Sequence, residues 1–349
     1  MRHPIIQEDL ESLLAADLPW TELAGKTVLV TGANGFLPAY MVETFLYLNE
    51  HTSSEKIKII GLVRNQEKAS NRFCLYQEKT DLKLIVQDVC SPILLDEKID
   101  YIIHAASQAS PKYYGKDPVG TLSPNVIGTY NLLNLAKDHG VEGFLFFSSG
   151  EVYGEVTASQ IPTKESDYGY VDPTNVRSCY GESKRMGETM CVSWFHQYGV
   201  ATKIVRPFHT YGPGMSLDDG RVYADFIADI LNNRDIVMKS DGSAIRAFCY
   251  LADAVQGFLT VLLKGENGQA YNVGNDRGEA SILDLAHKLV SLFPEKGLKV
   301  VKKEVIQPPG YLRSNIVRNC PDIYKIRRLG WQPTTSIEEG FNRTIRSFL

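Results

Sequence analysis

Lys26-Thr27-Val28-Leu29-Val30-Thr31-Gly32-Ala33-Asn34-Gly35-Phe36-Leu37-Pro38 is the stretch that decides the fold. Its opening run is short, apolar and β-branched, as a buried strand is. It leads straight into a glycine-rich turn, and a helical stretch follows to about Leu48. Strand, Gly-rich turn and helix in that order are the setting of a dinucleotide-binding fingerprint. Glycine lets backbone approach a pyrophosphate, while the helix N-terminus offers free N–H groups and the positive end of its dipole. Gly32, Asn34 and Gly35 are therefore candidate contacts to a dinucleotide. Pro38 stands where a third Gly would usually fall. Proline is tolerated in a first helical turn, but it leaves open how closely the helix approaches the strand.

Outward from this unit, strand-like runs at 57–63, 82–86, 101–104 and 144–147 alternate with helix-like ones, including 118–138. Alternating βα units imply a parallel sheet wound on both faces. After Val205 the pattern becomes irregular and richer in Gly and Pro, with helices expected at 251–263 and 281–293. The expected class is α/β: a doubly wound parallel Rossmann sheet with a smaller C-terminal α/β substrate domain. Residues 1–24 read as an extension with a short amphipathic helix at 9–16. Residues 25–205 read as the dinucleotide domain and 206–349 mainly as the substrate domain, with segments near 245–275 returning to the main sheet.

The chain has 349 residues, 44% hydrophobic and 22% charged, with a net charge of −4. These are ordinary values for a globular enzyme, and nothing in them recommends a nucleic-acid partner. Cys74, Cys90, Cys179, Cys191, Cys249 and Cys320 lack metal-type spacing and read as free thiols in a reducing compartment. No apolar run is long enough to span a membrane, and the N-terminus carries no signal-peptide pattern. The expectation is a cytoplasmic protein without a membrane partner or a metal.

Two further segments carry chemistry. Phe144-Leu145-Phe146-Phe147-Ser148-Ser149-Gly150-Glu151 is an apolar strand ending in hydroxyls and an acid. Ligands of open α/β sheets gather at the carboxyl ends of strands, so Ser149 is placed to hydrogen-bond a substrate hydroxyl. Ser178-Cys179-Tyr180-Gly181-Glu182-Ser183-Lys184 puts Tyr180 and Lys184 four residues apart, on one helix face. A nearby ammonium favours the phenolate, and a phenol poised near neutrality can take a proton from a sugar hydroxyl or give one to a ketone.

Fingerprint, strand-end Ser and Tyr-x-x-x-Lys, in that order, resemble the extended short-chain dehydrogenase/reductase (NAD-dependent epimerase/dehydratase) family from about Gly25 to the end of the chain. The resemblance implies a nucleotide-sugar substrate and catalysis by Ser149, Tyr180, Lys184 and Glu151. It extends the cofactor set to Phe36, Leu37, Arg64, Asp88, Val89, Ala105, Ala106, Ser107, Tyr180, Lys184 and Pro207. An acid at the end of the second strand usually binds the ribose hydroxyls of NAD, whereas an Arg there accommodates the 2′-phosphate of NADP. Arg64 occupies that slot, so NAD is the expected cofactor with NADP as the other reading; Arg64 could equally stack on the adenine of NAD.

His104-Ala105-Ala106-Ser107-Gln108-Ala109-Ser110-Pro111, Val176-Arg177-Ser178-Cys179-Tyr180 and Asp218-Asp219-Gly220-Arg221-Val222 together look like the UDP-glucuronate decarboxylase branch. That branch oxidises C4, loses the C6 carboxylate from the resulting β-keto acid, and reduces the ketone again. By resemblance Ser110, Tyr113, Arg177, His209, Thr210, Arg221, Arg246 and Tyr311 contact substrate. Gly150 stands where 4,6-dehydratases carry the Asp that protonates a departing hydroxyl, which disfavours that reaction. His209 stands where the decarboxylase branch has Asn. The alternative is an epimerase, 4-dehydrogenase or dehydratase-like enzyme of surface polysaccharide synthesis. The resemblance further suggests a homodimer packed through helices at 118–138 and 183–198.

Overall fold

The computed structural model describes residues 2–52, 55–302 and 316–349. Up to residue 207 the strands are β1 (Thr27–Thr31), β2 (Lys58–Val63), β3 (Leu82–Val86), β4 (Tyr101–His104), β5 (Gly143–Phe147) and β6 (Thr202–Pro207). The helices among them are α1 (Pro4–Leu14), α2 (Phe36–His51), α3 (Gln66–Arg72), α4 (Pro118–Ser123), α5 (Thr129–His139) and α6 (Cys179–Tyr198). Beyond them come β7 (His209–Tyr211), α7 (Val222–Leu231), β8 (Ile236–Met238), β9 (Ile245–Tyr250), α8 (Leu251–Lys264) and β10 (Gln269–Val273). The chain continues through β11 (Glu279–Ser281), α9 (Ile282–Ser291), β12 (Val300–Lys302), β13 (Arg318–Asn319), α10 (Tyr324–Arg327) and α11 (Ile337–Arg346).

Seven strands form the central sheet in the order β3-β2-β1-β4-β5-β6-β10, with every neighbouring pair parallel. β1 and β5 are buried along their whole length, as strands covered on both faces must be. Winding reverses between β1 and β4, so a crevice opens at their carboxyl ends. On one face Val28 and Val30 share a core with Val42, Phe45 and Phe258 of α2 and α8. On the other, Leu29, Ile102 and Phe144 meet Leu132 of α5 and Cys191 of α6. The contact of α2 with β1 answers the question raised by Pro38: the ring is buried in the first turn, and the helix still packs onto the strand.

β10 is the segment that joins the central sheet; β9 lies instead in a second sheet, flanked by β7, β11 and β13. There Tyr211, Phe226, Phe248, Leu285 and Phe341 form a separate core. The helix expected at 9–16 begins earlier, at Pro4, because proline suits a first helical position and His3 Nδ1 accepts from the Ile5 N–H at 3.2 Å. Asp9 on α1 accepts hydrogen bonds of 2.7 Å from Tyr40, Tyr250 and Arg343, tying the extension to α2, the end of β9 and α11. The single helix expected at 118–138 is instead α4 and α5 joined by a wide turn, Pro124–Gly128. Pro124 lacks the N–H that would continue the α4 ladder. Among the described residues, no helix is long and apolar enough to cross a membrane.

Candidate active site

A cleft of about 720 Å³ lies at the carboxyl ends of β1, β2, β4, β5 and β6 and is walled on its far side by the second sheet. At one end sit Gly32, Asn34, Gly35, Phe36, Leu37, Arg64, Asp88, Val89, Ala105, Ala106, Ser107 and Pro207. At the other sit Ser110, Tyr113, Ser149, Glu151, Arg177, Tyr180, Lys184, His209, Thr210, Arg221 and Arg246. Every residue singled out from sequence therefore faces one cleft except Tyr311, which lies outside the described residues.

The first end fits a dinucleotide. Gly32 has φ +65°, and a Cβ there would stand 2.9 Å from Ala106 Cα, so the β1 turn and the loop after β4 are in backbone contact that only glycine permits. Gly35 caps α2 without a side-chain hydrogen bond, leaving the first-turn N–H groups for an anion. Ser107 Oγ is buried without a partner among the described residues, as a hydroxyl awaiting a ligand would be. Arg64 is exposed at the end of β2, within electrostatic reach of Asp117. Beneath the turn, His104 binds Thr31 Oγ1 (2.9 Å), Thr129 Oγ1 (3.1 Å) and the Pro124 carbonyl (3.2 Å), and burial depresses its pKa to about 3.

At the centre, α6 presents Tyr180 and Lys184 from its first turns. Lys184 Nζ donates to the Phe147 carbonyl at 2.5 Å and lies 5.7 Å from the Tyr180 ring centre. Burial lowers its pKa to about 7, with Glu188 acting in the opposite direction. Tyr180 stacks on Tyr114, with ring centres 5.1 Å apart and planes 15° from parallel. The expectation of a phenol held low by its neighbouring ammonium is corrected here. Burial pushes Tyr180 up to about 12, against the hydrogen bond with Ser149 and the charge of Arg221, while the Lys184 ammonium is turned to the Phe147 carbonyl.

Lys184 gives a pH signature. Its folded-state pKa of about 7 lies below its ordinary 10.5, so between those values the unfolded chain binds the extra proton. Stability from this group therefore rises with pH through that window and is lowest below it. Thermal unfolding of Lys184→Met should lack that component: relative to wild type, the variant gains more stability at pH 6 than at pH 9. An equal difference at both values would overturn the assignment.

Below Lys184 lies a charged network that sequence reading missed. Arg206, 2% exposed, donates to Glu188 through Nε (2.8 Å) and Nη2 (2.6 Å). It also donates to the hydroxyls of Tyr153 (2.9 Å) and Tyr168 (3.0 Å). Glu188 in turn accepts from Ser148, the residue before Ser149. A strand-end Arg and a helical Glu are each ordinary surface residues in a sequence; only folding brings them together.

The sugar end is cationic. Glu151 is gripped by both terminal nitrogens of Arg177 at 3.0 and 3.4 Å. Arg246 donates only to the carbonyls of Ile245 (2.8 Å), Ile316 (2.8 Å) and Val317 (3.2 Å), and has no carboxylate partner among the described residues. The Thr210 hydroxyl already donates to the Phe208 carbonyl at 3.0 Å. Arg221 pairs with Asp219 (2.6 Å) and donates to the Ala109 carbonyl (3.1 Å). Together with Ser110 donating to the Asp219 carbonyl and Lys112 to that of Asp218 (2.8 Å), it clasps the 109–112 and 218–221 loops across the cleft. A Cβ on Gly150 would meet the Phe208 ring at 3.4 Å, ordinary contact, so packing does not require glycine there.

Residues 28–274 match the NAD dependent epimerase/dehydratase family. UDP-glucuronic acid decarboxylase 6 of Arabidopsis thaliana is 35% identical over 315 residues, which are 90% of this chain and 86% of that protein. UDP-glucuronic acid decarboxylase 1 of Xenopus tropicalis is 34% identical over 324 residues, 93% and 72% of the two chains. Among solved structures, epimerase Mth375 from Methanothermobacter thermautotrophicus has the same fold, with a TM-score of 0.80 at 23% identity over 99% of this chain and 96% of its own.

Proposed function

The chain belongs to the NAD dependent epimerase/dehydratase family, and from that premise we propose that it decarboxylates UDP-glucuronate toward UDP-xylose. That it is an NAD-dependent enzyme of nucleotide sugars follows from the family. The observation that carries the finer reading is Arg246: a guanidinium held by backbone carbonyls alone, next to the Glu151–Arg177 pair, keeps its charge for an anionic sugar. Gly150 supports it further, having no proton to give a departing hydroxyl where packing leaves room for a side chain.

Gly32–Leu37 would hold the dinucleotide's pyrophosphate, and Asp88, Val89 and Ala105–Ser107, which line the same cleft, would flank it. NAD, when bound, supplies the reversible hydride acceptor at C4 and a ring charge that favours the Tyr180 phenolate. Tyr180 takes the C4 hydroxyl proton and later returns it, with Ser149 holding the same oxygen. The 4-ketone makes the carboxylate that of a β-keto acid. Arg246 orients that carboxylate until CO2 leaves, Ser149 and Tyr180 then donate to the enolate oxygen, and a proton from solvent added at C5 restores the 4-ketone that is reduced again.

Mass spectrometry of holoenzyme incubated with UDP-glucuronate should show a product lighter by one CO2. An unchanged sugar mass with an altered retention time would favour the 4-epimerase reading instead. The subunits are proposed to pair through α4–α5 and α6, whose Ile127, Tyr130, Val192 and Tyr198 are left exposed. Light scattering at micromolar concentration should give a dimer; a monomer would overturn the pairing.

A further inference from the structure

His209 opens β7 opposite Phe248 of β9, its ring edge-on to that phenyl at 6.1 Å, and it lines the sugar end of the cleft. Its Nδ1 is buried and has no hydrogen-bond partner among the described residues. An orphaned buried polar atom of this kind is destabilising, so it is expected where a ligand completes the site. The charges acting on the ring are Arg246 on β9 and Arg221 just ahead of α7. The carboxylates of this end are already engaged, Glu151 by Arg177 and Asp219 by Arg221.

We propose that His209 takes up a proton from solvent when a nucleotide sugar bearing a carboxylate enters the cleft, so that the site favours acidic over neutral sugars; the inference rests on the nucleotide-sugar reading above. The geometry sets up the coupling. A buried imidazole within electrostatic reach of two guanidiniums is disfavoured as a cation until an anion is placed beside it. A sugar carboxylate is such an anion, and the protonated ring answers it with a second N–H donor, a charge-assisted contact. Burial together with Arg246 and Arg221 holds the His209 pKa well below its ordinary value, so without that anion the ring is neutral at pH 7. The diphosphate is common to acidic and neutral nucleotide sugars, so comparing the two isolates the carboxylate. No covalent bond of the sugar changes; one proton moves from water to a ring nitrogen. Coupling is reciprocal: if the carboxylate favours the proton, the proton favours the carboxylate.

The test is calorimetric titration of NAD-loaded Tyr180→Phe protein, which does not turn the ligand over, with UDP-glucuronate and with UDP-glucose. Each is run in phosphate and in Tris, buffers whose ionisation heats differ. The expected result is a buffer-dependent heat, a net proton taken up, for UDP-glucuronate only. Its affinity should weaken as pH rises, by up to about tenfold per unit, the limit for one coupled proton. Adding His209→Asn, which keeps a hydrogen-bonding group but cannot titrate, should abolish the uptake. Equal heats in both buffers, the same uptake with UDP-glucose, or uptake that survives His209→Asn would each overturn the proposal. Should the Asn variant fail to fold, the two-sugar comparison decides alone. Failure to bind either nucleotide sugar would overturn the underlying reading itself, a result distinct from binding without proton uptake.

Discussion

Replacing Tyr180 by Phe lowers turnover by about 10²–10⁴-fold, the range that a positioned proton-transfer group supplies, while NAD binding is retained. The substitution removes one oxygen and leaves the ring on Tyr114, so the stacked pair and the first turns of α6 keep their packing. The Gly32–Leu37 turn, proposed to hold the pyrophosphate, is a separate segment of the cleft lining that the substitution does not alter. Burial pushes Tyr180 up to about 12, so proton transfer requires the phenol to be brought down within the complex. The rate is read from CO2 release and cofactor binding from calorimetry. Unimpaired turnover would place the chemistry elsewhere, and lost cofactor binding would make the hydroxyl a binding contact.

Removing Glu188 as Ala should destabilise the fold by about 3–5 kcal/mol, the cost of leaving one member of a buried ion pair without its partner. Arg206 is 2% exposed and spends three of its donor contacts on Glu188 and Tyr153, so its charge has no path to water. The loss also strips Ser148 of its acceptor. Thermal or denaturant unfolding checks this, with Glu188→Met/Arg206→Met as companion: removing both charges should recover most of the stability that removing one forfeits. A loss below about 1 kcal/mol, the scale of an exposed pair, would show that water reaches the guanidinium.

The sheet, the fingerprint turn and the pairing of Tyr180 with Lys184 were legible because each rests on local pattern: β-branched runs, glycine where backbone must approach backbone, and a four-residue helical spacing. What the sequence withheld depends on segments far apart in the chain. Tyr114 reads as a loop aromatic until α6 lays Tyr180 on it. Arg206 reads as a charge at a strand end until Glu188, Tyr153 and Tyr168 surround it. Arg177 and Glu151 lie apart in sequence and pair only through the turn after β5 and the entry to α6. The environment of Tyr180 was misread for the same reason. Spacing shows that a lysine is near, but not that its ammonium is turned to the Phe147 carbonyl and has its pKa lowered by burial.

Across the cleft Arg221 leans on the main-chain oxygen at 109, and Arg246 on those at 245, 316 and 317. Any amino acid supplies a carbonyl. Mutational drift can therefore run through these accepting positions with little effect on the attachments, whereas Arg221 and Arg246 have few replacements. The binding end of this enzyme is built so that a few donors carry the constraint and many acceptors remain free to vary.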